Sequence, residues 1–138
     1  MASGWAIIGW AKPVRINRNN FHNPLRDDIW VSLAGPAANF ILAILISILI
    51  KLGFPRGLLR GVLELAVYFN VFLFFFNLLP IPPLDGSHIL FDVFPNYYTQ
   101  RYLNIGGGLG LVLLFVFIYS PLWNWFMELV NYFAFSLL

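Results

Sequence analysis

From Ile29 to Ile50 the chain reads IWVSLAGPAANFILAILISILI, 22 residues without a charge. Wound as a helix, this run is about 33 Å long, enough to cross a hydrocarbon core of about 30 Å. Lys51, Gly53 and Pro55 close it. The rest of the chain agrees with a lipid environment. Apolar residues make up 60% and charged residues 10%, against about 45–50% and about 25% in soluble domains. That leaves too little polar surface to cover a water-facing sphere, so the chain is expected to be an integral membrane protein.

Val62 to Leu79, VLELAVYFNVFLFFFNLL, predicts a second span with one carboxylate, Glu64, near its start. Pro80, Pro82 and Pro83 stop it, because none can donate a helical hydrogen bond. Ile105 to Ser120 predicts a third span, and Pro121 separates it from the apolar tail Leu122–Leu138. One straight helix over both would be about 50 Å, too long for a single crossing. A kink or turn near Pro121 is therefore expected, with a last helix that returns or lies at the interface. Ahead of the spans, Val14 and Ile16 alternate with Arg15 and Asn17, a short strand pattern followed by a polar turn. The expected fold class is an all-α integral membrane protein of three to four transmembrane helices (about 29–50, 62–79, 105–120 and 122–138). A short strand or hairpin within residues 1–28 precedes them.

Several function classes drop out. The net charge is only +2 and the basic residues are scattered, so there is no nucleic-acid footprint. With no cysteine, disulfide frameworks and thiolate metal sites are excluded. MASGWAIIGWAKPV has no basic segment before an apolar core, so it is not a secretory signal, and it reads as though it begins inside a longer pattern. Lys12, Arg15, Arg18, Arg26 and Arg101 would share one side of the membrane, against Lys51, Arg56 and Arg60 on the other. The positive-inside rule favours the first group as cytoplasmic.

The polar residues inside the apolar runs carry the functional information. Ser32, Gly35, Asn39, Ala43 and Ser47 recur every three or four residues and so share one helix face. One reading is a small-residue seam for close helix packing, with Asn39 hydrogen-bonded across it. The other is that Asn39 lines a polar cavity. Asn70 and Asn77 share a face of the second span. Asp85 follows a proline-broken helix end, and such a break at membrane depth is tolerated only inside protein or beside a watery cavity. An ionisable residue there is a candidate functional group, although Asp85-Gly86 is also an ordinary turn pair. His88 reads as a structural hydrogen-bond partner and His22 as a solvated loop residue. Gly106 and Gly110 form a small-xxx-small pair that would permit close helix contact.

Three stretches, GWAKPVRINRNNFHNPLRDD, SLAGPAANF and FNLLPIPPLDGSHIL, together resemble the site-2 proteases, intramembrane zinc metalloproteases of the compact bacterial and archaeal kind. The resemblance covers about Gly9 to Leu90, and the tail matches only in being hydrophobic. It implies roles for individual residues. Asp85 matches the aspartate that serves as a protein ligand to zinc. Asn77 and Asn39 match asparagines that position substrate or stabilise the oxyanion. The segment with Lys12, Val14 and Ile16 resembles an extended strand that pairs with an unwound substrate, which exposes a peptide bond that a helix keeps hydrogen-bonded. Pro80, Pro82 and Pro83 would break the helix so that Asp85 turns toward the metal, and Gly86 completes the Leu84-Asp85-Gly86 motif.

The family's chemistry also needs a His-Glu-x-x-His helix, with two histidines on one face to bind zinc and the glutamate as general base. This chain contains no such motif; its only glutamates are Glu64 and Glu128, and neither is flanked by histidine. A catalytic zinc needs three protein ligands, and the matched residues supply one. Asp85, His88 and His22 could in principle build a different site. As a single polypeptide the chain is expected to be inactive, with the remaining ligands coming from an upstream segment or a partner chain. The expected function is thus a portion of an intramembrane zinc metalloprotease in a prokaryotic cell membrane. Its expected partners are membrane lipid and transmembrane protein substrates, with no nucleic acid. The alternatives are a non-catalytic pseudoprotease or scaffold that binds transmembrane helices, and a small transporter-like protein, against which the lack of paired intramembrane charges argues.

Overall fold

A computed structural model describes residues 24–54, 56–103 and 106–138. Six helices run through them: α1 Pro24–Lys51, α2 Leu58–Asn77, α3 Asp85–Val93, α4 Tyr97–Leu103, α5 Gly106–Ile118 and α6 Leu122–Leu137. Among the described residues there is no strand. The strand expected around Lys12, Val14 and Ile16 lies outside them.

α1 starts five residues before the charge-free run. Its first residue is Pro24, whose fixed φ suits the opening turn, and Asp27 in that turn complements the helix dipole. At the other end Lys51 lies in the last turn, and Gly53 takes a positive φ of 75° as the chain leaves. Such a left-handed residue is a common helix stop and favours glycine. α2 starts earlier than the apolar pattern suggested, across the Arg60–Glu64 pair at 2.8 Å, and it ends at Asn77. α1 and α2 pack against each other as a hairpin, so the start of α1 and the end of α2 lie on the same side.

Asp27–Lys51 and Leu58–Asn77 are long and apolar enough to cross a membrane. They display Trp30, Ile41, Leu45, Leu65 and Phe69 outward, which suits a lipid surround and would be an aggregation hazard in water. The expected third and fourth spans need correction. α5 has 13 residues and α6 has 16, about 20 Å and about 24 Å, short of the hydrocarbon thickness. Only if Tyr97–Leu103 and Gly108–Ile118, bent by 90°, are counted as one unit do the candidate spans reach three. The break expected near Pro121 is present: Ser120 and Pro121 separate α5 from α6. α6 then packs back on α2 and α1.

The packed centre is Ala43 and Ile50 from α1, Val67 and Val71 from α2, and Phe126, Val130 and Ala134 from α6. Phe126 meets Phe72, Phe76, Phe117 and Trp123 with ring centroids 5.4–6.5 Å apart. Phe126→Ala is expected to destabilise the fold by about 2 kcal/mol, below the 3–5 kcal/mol typical of water-soluble cores, because lipid removes most of the transfer term and leaves lost packing. The midpoint of unfolding in mixed micelles would measure it.

Two helices went unread in the sequence. α3 forms directly after the prolines, with Ser87 Oγ donating to the Leu84 carbonyl at 2.7 Å. α4 is capped by Asn96, whose Oδ1 accepts from the Tyr98 and Thr99 amides at 2.9 and 3.0 Å. Thr99 Oγ1 returns the favour by accepting from the Asn96 amide at 3.1 Å, a reciprocal capping arrangement.

Candidate functional site

The site lies where α2 exits, the proline segment crosses, and α3 begins against α1. Residues 78–84 contain Pro80, Pro82 and Pro83, which have no N–H to donate. The segment's internal bonds are few: the Ile81 amide to the Leu79 carbonyl at 2.8 Å, and the Leu84 amide to the Ile81 carbonyl at 2.9 Å. The Pro82–Pro83 peptide is cis. The segment delivers Asp85 as the first residue of α3. Gly86, next in line, lies so close to the Leu78 and Leu79 carbonyls that a Cβ would overlap them. That close approach docks the start of α3 on the end of α2, one residue beyond Asn77.

Across the gap stands α1. A Cβ placed on Gly35 would sit 3.5 Å from Asp85 Oδ2, an ordinary contact distance, so the carboxylate lies against the α1 face at Gly35. Asn39 lies one turn further along the same face of α1. The structure thus divides the small-residue seam. Ala43 and Ser47 are buried in the packing, and Ser47 Oγ donates to the Leu137 carbonyl of α6. Gly35 instead faces the α3 carboxylate. The hydrogen bond expected from Asn39 across the seam is not made among the described residues.

The asparagines of α2 also differ. Asn70 donates to the Ala66 carbonyl of its own helix at 2.8 Å, so its amide is occupied locally. Asn77, half-buried at the last turn of α2, has no such bond among the described residues. Glu64 is engaged with Arg60 at the far end of α2 and is not near Asp85 in the helix.

Asp85 is half-buried, and no hydrogen bond among the described residues engages its side chain. Burial raises its carboxyl above the ordinary carboxylate range, and the charge of His88 one turn on acts the other way. A half-buried carboxylate with no hydrogen-bond donor is one that a bound cation would stabilise in its charged form. It is not a helix cap either, because the N-cap is Leu84 and makes no side-chain cap bond. Among the described residues no group of three or more His, Cys, Asp or Glu could hold a metal. Asp85 has the chemistry of a single zinc ligand, and the described residues gather no full set around it. His22, and Lys12, Val14 and Ile16, lie outside the described residues.

An open apolar hollow of about 310 Å³ lies beside the proline segment, lined by Pro80, Leu90, Tyr98, Thr99 and Tyr102. Neither Asp85 nor either asparagine lines it. One contact here escaped the sequence reading: Tyr102 Oη donates to the Pro80 carbonyl at 2.6 Å. Gly110 also meets an unexpected neighbour. Rather than a facing helix, it lies against the Pro82 carbonyl, where a Cβ would overlap.

Comparison with known proteins points the same way as the motifs. The model of "Peptidase family M50" matches residues 55–117. "Putative zinc metalloprotease YwhC" of Bacillus subtilis is 33% identical over 126 residues, which is 85% of this chain and 57% of that protein. "Putative zinc metalloprotease Rip2" of Mycolicibacterium smegmatis is 40% identical over 111 residues, 75% of this chain and 40% of that protein. "Putative zinc metalloprotease MJ0611" of Methanocaldococcus jannaschii is 42% identical over 60 residues, 44% of this chain and 31% of that protein. The chain thus spans a little over half of the first of these relatives and less of the others. No solved structure matches it.

Proposed function

Because the chain belongs to peptidase family M50, the site-2 proteases, we propose that it is the substrate-side part of an intramembrane zinc metalloprotease. In this reading it supplies the aspartate ligand, Asp85, and not the histidine pair. The observation that carries the reading is the half-buried Asp85 carboxylate, aimed at the bare face of α1 at Gly35 and engaged by no hydrogen bond among the described residues. Zinc, when bound, polarises a carbonyl and lowers the pKa of a water toward about 7.

This chain's own residues have separate tasks. Asp85 would hold the metal as one ligand and offset part of its charge. Asn77 and Asn39 offer amide groups that orient the substrate backbone or its developing negative charge. The prolines end α2 so that the chain turns and α3 begins with Asp85. The segment of Lys12, Val14 and Ile16 pairs with an unwound stretch of the substrate. The two remaining ligands and the general base come from a His-Glu-x-x-His helix, on an upstream segment or a partner chain. The substrates are transmembrane or membrane-associated proteins, and the setting is a prokaryotic cell membrane.

The second reading starts from the sequence, which carries no His-Glu-x-x-His motif. A pseudoprotease or scaffold would bind transmembrane helices without cutting them. To decide, the chain is co-reconstituted in vesicles with a segment bearing the histidine pair and given a reporter transmembrane substrate. Cleavage that needs zinc and both polypeptides is the expected result. Substrate binding without cleavage, with zinc and the histidine pair present, would favour the scaffold.

A further inference from the structure

The proline segment that aims Asp85 cannot hold itself. Three of the residues from Leu78 to Leu84 are prolines without a donor, and two backbone bonds begin and end within it. Its path must be fixed from outside. Gly86 docks its downstream end on the Leu78 and Leu79 carbonyls. Its middle is met by two residues of the C-terminal part of the chain, which carries none of the distinctive motifs. Tyr102 Oη donates to the Pro80 carbonyl at 2.6 Å from 22 residues downstream. Gly110 of α5 lies under the Pro82 carbonyl, in a space that no side chain could share.

From this geometry we infer that Tyr102 and Gly110 form a clamp that fixes the proline segment and so positions Asp85; they are positioning residues that touch neither metal nor substrate. Tyr102 gives the segment's free carbonyl a donor, where lipid offers none and water only at the surface. Gly110 lets the segment seat on α5 without a gap. α4 is a firm base for Tyr102, because the Asn96–Thr99 cap and the bond from Thr99 Oγ1 to the Phe94 carbonyl at 2.7 Å fix its start. The clamp gives the otherwise unremarked tail a task at the site. Its consequence for zinc rests on the reading of Asp85 as a ligand; the clamp itself does not.

The chain has no cysteine, so one introduced thiol reports on one place. Ser87→Cys puts a reporter at a position 1% exposed, just beyond Asp85. Ser47→Cys puts a control thiol at a position 3% exposed in the α1–α6 packing. Maleimide labelling is followed for the full chain in lipid nanodiscs with metal chelated. Adding Tyr102→Phe, which removes only the hydroxyl, is expected to speed labelling at position 87 about fivefold, the effect of one ordinary hydrogen bond on a local opening equilibrium. Labelling at position 47 is expected to stay the same. Gly110→Ala should give the same pattern with a rise of about tenfold or more, because the segment has to move. No change at position 87 with Tyr102→Phe, or an equal rise at position 47, would overturn the clamp.

A second readout separates this inference from the functional one. In the protein reconstituted with the histidine pair, Gly110→Ala is expected to weaken zinc binding about tenfold or more. Labelling that responds as expected while even the parent protein binds no zinc would sink the ligand role of Asp85 and leave the clamp standing.

Discussion

Asp85→Ala is expected to lower zinc-dependent peptide hydrolysis by on the order of 10³-fold or more, once the chain is combined with the histidine pair. A catalytic zinc is held by three protein ligands, and removing one takes away both charge and geometry at the metal. Asp85→Asn should fail almost as badly, because it keeps the shape and loses the negative charge. The competing explanation of Asp85 as a helix-start residue predicts something much smaller. A carboxylate in the first turn of an exposed helix contributes about 0.3–1 kcal/mol through the dipole, and its loss would leave hydrolysis almost unchanged. The N-cap of α3 is Leu84 and makes no side-chain cap bond, so even that contribution is not reinforced by capping. Steady-state cleavage of a reporter transmembrane segment separates the two accounts, provided the helical content of the variant matches the parent.

Gly86→Val is expected to undock α3 and destabilise the fold by about 3 kcal/mol. The obstacle is backbone, since any Cβ at position 86 would fall on the Leu78 and Leu79 carbonyls, and backbone does not swing aside as a side-chain tip does. Gly86→Ala should show most of the effect. Gly35→Ala is the instructive contrast. Its Cβ would sit at an ordinary contact distance, 3.5 Å from Asp85 Oδ2, in a helix where alanine is favoured over glycine. It should be neutral or slightly stabilising. Thermal unfolding of the three variants in detergent measures the order. Equal effects at positions 35 and 86 would mean that α3 is not seated as described.

The two long spans were legible because charge-free runs of their length admit few other structures. The helix starts were less so. The strand or hairpin segment was expected to reach residue 28, yet α1 already runs from Pro24, where the proline and the acidic first turn were the available signals. α3 lies between Pro83 and Pro95 and α4 follows Pro95, and residues this close to helix-breaking prolines gave no helix signal of their own. The Asn96–Thr99 pair was a cap written in the sequence, and it would have located α4.

The polar residues of the candidate site could be picked out in the sequence, but their contacts could not. Asp85, Asn77 and Asn39 stood out as polar residues in apolar surroundings, and the resemblance tied them together. Residue spacing alone left Asp85 between a turn carboxylate and a candidate functional group, because its freedom from hydrogen bonds is a property of three-dimensional surroundings. Gly110 could be read as a close-approach glycine but not assigned its neighbour, the Pro82 carbonyl, 28 residues away (110 − 82). Tyr102 carried no signal at all: one tyrosine among six gives no hint of which carbonyl it meets.

Zinc content is the most direct test of the central claim. The chain is purified together with the histidine-bearing segment, and metal per chain is determined for the parent and for Asp85→Ala at matched helical content. About one zinc per chain in the parent and almost none in Asp85→Ala is the predicted result. Full zinc retention in Asp85→Ala, with the fold intact, would contradict the assignment of Asp85 as a ligand.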